Sequence, residues 1–201
     1  MVGLVVGISL FLTGCAHAPP PENPHNICNI FQEKEDWYHE AKKSTQRWGT
    51  PIPVMMSIMY HESSYVANAR PPRRWYWGFI PGPRISTAYG YAQALDGVWD
   101  DYRTEVGAWG DRDEFADAVD FIGWYTNKSL RINGVKLSDA RNQYLNYHEG
   151  WGGYQRRTYR RKRWLMGVAK RVEKKAKQYR YQLKQCEEEL NKPSFWQWLF
   201  G

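Results

Sequence analysis

Residues 53 to 60, Pro-Val-Met-Met-Ser-Ile-Met-Tyr, form an apolar run that ends abruptly in His61-Glu62-Ser63-Ser64-Tyr65. Thr50 and Pro51 ahead of it supply an N-cap and first-turn signal, so the run predicts a helix. Helical spacing puts Val54, Met55, Ile58, Met59 and Glu62 on overlapping faces, with the one acid at the end of a buried stripe. The same period recurs elsewhere. Ile30, Phe31, Trp37, Tyr38, Ala41 and Trp48 stripe a first helix. Asp96 opens a segment carrying Val98, Trp99 and Tyr102, and Asp113 one carrying Phe115, Ala118, Val119, Ile122 and Tyr125. Ser138 opens another with Tyr144, Leu145 and Tyr147. Strand alternation is hard to find. Residues 70 to 83, rich in proline, arginine and tryptophan, read as a long irregular surface loop. These patterns predict a mainly α-helical fold.

The ends of the chain are different in kind. Residues 1 to 11 are uncharged and mostly apolar, too short to span a bilayer as a mature helix, and are followed by Leu12-Thr13-Gly14-Cys15. This resembles a bacterial lipoprotein signal, which implies removal of residues 1–14 and lipidation of Cys15. No Lys or Arg precedes the run. Ala16 after the cysteine implies sorting to the outer membrane, facing the periplasm. Residues 15–26, with four prolines, then read as an extended tether, residues 27–190 as one helical domain, and 191–201 as an aromatic tail. In such a compartment disulfides persist, and Cys28 and Cys186 are expected to pair, two separate buried thiols being the alternative.

The 201 residues carry a formal charge of +7, and its distribution matters more than its size. From Arg156 to Lys184 the chain has a dense run of Arg and Lys against Glu173 alone, predicting a long basic C-terminal helix. Such a helix either presents a solvated basic face or meets an anionic partner: nucleic acid, phospholipid or the carboxylates of the cell-wall polymer. Behind a lipoprotein signal, nucleic acid is excluded. No His-Glu-x-x-His or paired Cys ligands occur, so neither a metal nor another cofactor is expected.

Three segments fall in a telling order: His61-Glu62-Ser63-Ser64-Tyr65, then Ser86-Thr87-Ala88-Tyr89-Gly90-Tyr91-Ala92-Gln93, then Tyr147-His148-Glu149-Gly150-Trp151-Gly152-Gly153-Tyr154. Together they resemble the soluble lytic transglycosylases, relatives of goose-type lysozyme, over about residues 48 to 155. The resemblance implies a lysozyme-like helical domain with Glu62 as the catalytic acid and Ser63 shaping the helix end. It implies that Gly90, Tyr91 and Gln93 bind substrate and that the hydroxyl of Tyr147 hydrogen-bonds the catalytic carboxyl. It implies action as a monomer on peptidoglycan glycan strands, at the bond between N-acetylmuramic acid and N-acetylglucosamine, leaving a 1,6-anhydro product.

Two departures complicate the resemblance. His61 stands where the family commonly has Gln, and a cation there would lower the pKa of Glu62. Glu149 is an extra acid in the third motif. If Glu149, Asp96 or Asp100 reached the far side of the sugar, a hydrolytic muramidase would result, since inverting glycosidases set a second carboxylate opposite the acid to activate water. A non-catalytic, peptidoglycan-binding lipoprotein is the remaining alternative.

Overall fold

A computed structural model of the chain describes residues 17–192. Cys15, the signal segment before it and the aromatic residues 195–200 lie outside the described residues. The elements run α1 (Ile27–Glu33), α2 (Glu35–Trp48), α3 (Ile52–Ser63), β1 (Arg73–Tyr76), β2 (Ile80–Arg84), α4 (Asp96–Val106), α5 (Phe115–Asn133), α6 (Ala140–Gln155), a 3-10 turn (Thr158–Arg161) and α7 (Arg163–Leu190). The mainly helical architecture and the long basic last helix are as the sequence pattern predicts.

Helix α3 is the centre of the molecule. Apolar on nearly every side, it buries Ile52, Val54, Met55, Met56, Ile58 and Met59 and packs against α2, α5, α6 and α7. An amphipathic helix needs one partner face, whereas a helix apolar all round must be surrounded. Helices α2 and α5 approach closely because Gly123 leaves room: a Cβ there would lie 2.4 Å from Ser44 Oγ. Ser44 in turn donates to Val119 O at 3.0 Å, so the close approach is also bonded.

Helix α7 lays Leu165, Ala169, Val172, Ala176, Tyr179, Leu183 and Cys186, spaced three or four apart, onto the core. Cys186 is disulfide-bonded to Cys28 in α1, closing a loop of 158 residues. The segment expected as a tether is docked from Pro21 onward. Pro21 is buried, Tyr179 donates to Pro24 O, and Ile27 N donates to Gln182 Oε1.

Two sequence expectations need correction. The stripe from Ile30 to Trp48 is two helices, because Lys34 leaves the helical region (φ −115°, ψ 76°) and caps both. The stretch expected as an irregular loop contains an antiparallel hairpin, with Tyr76 facing Ile80 and Trp75 facing Pro81. The three residues that join the strands, Trp77 to Phe79, begin with left-handed Trp77 (φ 51°) and Gly78 (φ 80°), backbone that suits the strand twist.

Candidate active site

Glu62 lies in the last turn of α3, whose end is fixed by an unusual stretch of backbone. Ser64 and Tyr65 follow with φ of 51° and 63°, both left-handed, a conformation costly for a bulky tyrosine. Burial holds Tyr65 there: its ring is fully enclosed, and its hydroxyl bonds Met56 O at 3.0 Å and Tyr179 Oη at 3.1 Å. Ser63 is buried and turns its hydroxyl back to Met59 O at 3.4 Å, shaping the helix end.

Glu62 is partly buried, and loss of hydration pushes its pKa from 4.5 up to about 7. The Tyr144 hydroxyl beside it acts against that rise, since a donor there favours the carboxylate. His61 does not intervene as a cation. Burial, then Arg171 and Lys175, lower its pKa, which keeps the imidazole neutral.

Tyr147 stands close enough for the charge of Glu62 to raise its pKa, after the larger effect of burial. Its hydroxyl, however, donates to Ala92 O at 2.5 Å and not to the carboxyl. The tyrosine whose hydroxyl favours the Glu62 carboxylate is Tyr144, one turn earlier on the same face of α6. Tyr147 instead ties α6 to the residue beside Gln93.

A cavity of about 200 Å³ opens here, lined by Gln93, Leu95, Val98, Phe121, Tyr147 and His148 among others. Glu62 does not line it but interacts with Tyr147, which does. Gln93, itself left-handed at φ 48°, gives both protons of its amide nitrogen to Ala69 O (2.8 Å) and Gly90 O (2.9 Å). What it can present to a ligand is therefore its carbonyl oxygen, an acceptor only.

Gly90 and Tyr91 do not line the cavity. Gly90 is buried at φ 79°, and a Cβ on it would lie 1.9 Å from Arg112 O, so glycine is required for the chain crossing. Tyr91 is enclosed with Trp37 and Phe115 in the core. The irregular turn explains both: Gln93, at its left-handed φ, faces the cleft, while Tyr91 and Ala92 just before it are buried.

Of the other carboxylates, Glu149 also lines this cavity, but its oxygens are engaged by neighbouring side chains. Glu149 has a side chain only 3% exposed and bonds Lys162 Nζ at 2.7 Å, the Thr158 hydroxyl, and His148 Nδ1 at 3.1 Å. Burial pushes its pKa up, but these partners outweigh it and hold the carboxyl below its usual range. Asp96 pairs with Arg112 at 2.7 Å, and Asp100 is exposed on α4. Among the described residues no group of three or more His, Cys, Asp or Glu is placed to hold a metal ion.

Comparison with known proteins adds one finding. A family model described as transglycosylase SLT domain matches residues 3–186. No curated protein and no solved structure matches the chain.

Proposed function

The chain belongs to the transglycosylase SLT domain family, and on that premise we propose that it cleaves the β-1,4 bond between N-acetylmuramic acid and N-acetylglucosamine in peptidoglycan, with Glu62 as acid and then base. The observation that carries this reading is the state of Glu62: partly buried, pKa raised to about 7, and flanked by the Tyr144 and Tyr147 hydroxyls. A carboxyl so poised holds a proton near neutral pH and can also take one back.

In the proposed reaction Glu62 gives its proton to the glycosidic oxygen as the C1–O bond breaks. The substrate's N-acetyl oxygen supports the cationic carbon. The C6 hydroxyl of the muramic acid then adds to C1, returning its proton to Glu62, so a 1,6-anhydro end forms and no water is consumed. Tyr144 holds the carboxylate through the charged interval, and the Gln93 oxygen accepts from a sugar N–H or hydroxyl. The commitment of Glu149 to Lys162 favours this route over hydrolysis, which needs a second free carboxylate.

The proposal places the protein in the bacterial envelope, anchored through a lipid on Cys15 with its domain in the periplasm. Incubation of the protein with purified sacculi and mass analysis of the released muropeptides tests the chemistry. Products lighter by one water than hydrolysed species are expected. Reducing-end products would make it a muramidase, and no release would leave a wall-binding protein.

A further inference from the structure

The β1–β2 hairpin stands apart from the body. Neither strand packs substantially on another element, yet its aromatic residues are large and bare: Trp75 is 59% exposed, Tyr76 54%, Trp77 85% and Phe79 71%. Two-stranded hairpins are marginal on their own, and exposed aromatics of this size mark a surface that meets something.

The arrangement along the hairpin says what. At the tip are Trp77 and Phe79, beside the turn. Behind them the pairs Tyr76 with Ile80 and Trp75 with Pro81 point to opposite faces, so the apolar groups surround the tip on both sides. Tyr76 covers Gly82, where a Cβ would lie 2.6 Å from its ring. At the base come Arg74 and the facing pair Arg73 and Arg84, with Arg70 nearby. No Asp or Glu occurs between Ser63 and Leu95. The base itself is fixed: Arg84 donates to Pro71 O, Arg70 lies 4.1 Å over the Tyr89 ring, and Ala69 O holds Gln93 and Gly90.

A sugar stacks on one aromatic face. A tip that is apolar all round, with tryptophans above a ring of arginines, matches instead the depth profile of a bilayer interface, where aromatic rings sit at the headgroup level and cations meet anionic lipid. We propose that the 73–84 hairpin inserts its Trp77–Phe79 tip into an anionic phospholipid surface while Arg73, Arg74 and Arg84 bind the headgroup phosphates. Because Ala69 at its root bonds Gln93, the hairpin sets the cleft at a fixed height beside that membrane.

The test uses the full chain carrying Cys15→Ser, so that no acyl chain anchors it. Co-sedimentation with vesicles of phosphatidylcholine and phosphatidylglycerol is compared with pull-down on purified insoluble peptidoglycan, which keeps the outcome independent of the proposed catalytic activity. Trp77→Ser/Phe79→Ser is expected to weaken vesicle binding roughly tenfold or more and to leave peptidoglycan binding unchanged. Arg73→Gln/Arg74→Gln is expected to weaken binding to the anionic vesicles by a similar factor, and far less to pure phosphatidylcholine. Vesicle binding equal to the parent in both variants would overturn the proposal. So would loss of peptidoglycan binding, alone or together with vesicle binding, which would make the tip a glycan contact.

Discussion

The Tyr144 hydroxyl stands beside the Glu62 carboxyl where the last turn of α3 meets the second turn of α6. That donor favours the charged form of Glu62, whereas burial favours the neutral one. Tyr144→Phe removes only the first effect. It is expected to raise the Glu62 pKa further and to lower muropeptide release by about ten- to a hundredfold, the range for a hydrogen bond to a charged group. The rate measured against pH checks this. The basic limb of the profile should move to higher pH, and a limb that stays in place would remove Tyr144 from the site.

Glu62 itself links activity to stability. Its folded pKa of about 7 exceeds the ordinary 4.5, so the folded state holds the proton more tightly than the unfolded chain. That contribution is fully present below about pH 4.5, is lost as pH rises towards 7, and is absent above. Glu62→Gln removes the ionisation and is expected to stabilise the protein at pH 8 by on the order of 1 to 3 kcal/mol, with little change at pH 4. The same variant should lose activity by about a hundredfold or more. Urea unfolding at the two pH values, beside sacculus digestion, measures both.

How much of this was legible in the sequence depends on what decides each feature. The apolar run of α3 made its helix and the placement of Glu62 readable, because burial follows composition. Cys28 and Cys186 were readable from compartment, without geometry. Tyr144 and Tyr147 were not separable, since residues three apart share a helix face and only the crossing of α3 and α6 decides which hydroxyl meets Glu62. Tyr91 was misplaced because a motif fixes spacing but not which way a tight turn points each side chain. The hairpin was missed for a further reason: with no buried face, its strands show no alternation of apolar and polar residues, and the Trp77-Gly78 turn lacks the usual Asn or Asp.

Gly90 supplies a stability test of the chain crossing beneath the cleft. An alanine there meets both an unfavourable φ of 79° and the Arg112 carbonyl at 1.9 Å, backbone that cannot swing aside. Gly90→Ala is expected to destabilise by about 3 kcal/mol or more, summing strain and overpacking. Thermal denaturation checks it. A variant as stable as the parent would mean that the crossing is looser than described.

The disulfide closes most of the domain into one loop, and long loops gain most from closure. Cys28→Ser/Cys186→Ser is expected to lower stability by about 2 to 5 kcal/mol and leave the ordering around Glu62 intact at low temperature. Denaturant titration of the oxidised protein and the double variant gives the difference. Two reactive thiols in denatured, unreduced protein would remove the premise.

Glu149 separates the two chemistries open to the cleft. Its carboxylate is nearly enclosed and is held by Lys162, Thr158 and His148, so its folded pKa lies below 4.5. A lowered pKa contributes stability above the ordinary value and loses it as pH falls through the folded one. Glu149→Gln keeps the shape but leaves Lys162 without its counter-ion, and is expected to destabilise by about 1 to 3 kcal/mol at pH 7 and by progressively less in acid. If the residue acts only as this anchor, the variant assayed well below its melting temperature keeps at least about a third of the parent's turnover and the same anhydro product. A variant that is folded, inactive and no less stable would instead mark Glu149 as the base that activates water, and the hydrolytic reading would replace the one proposed for Glu62.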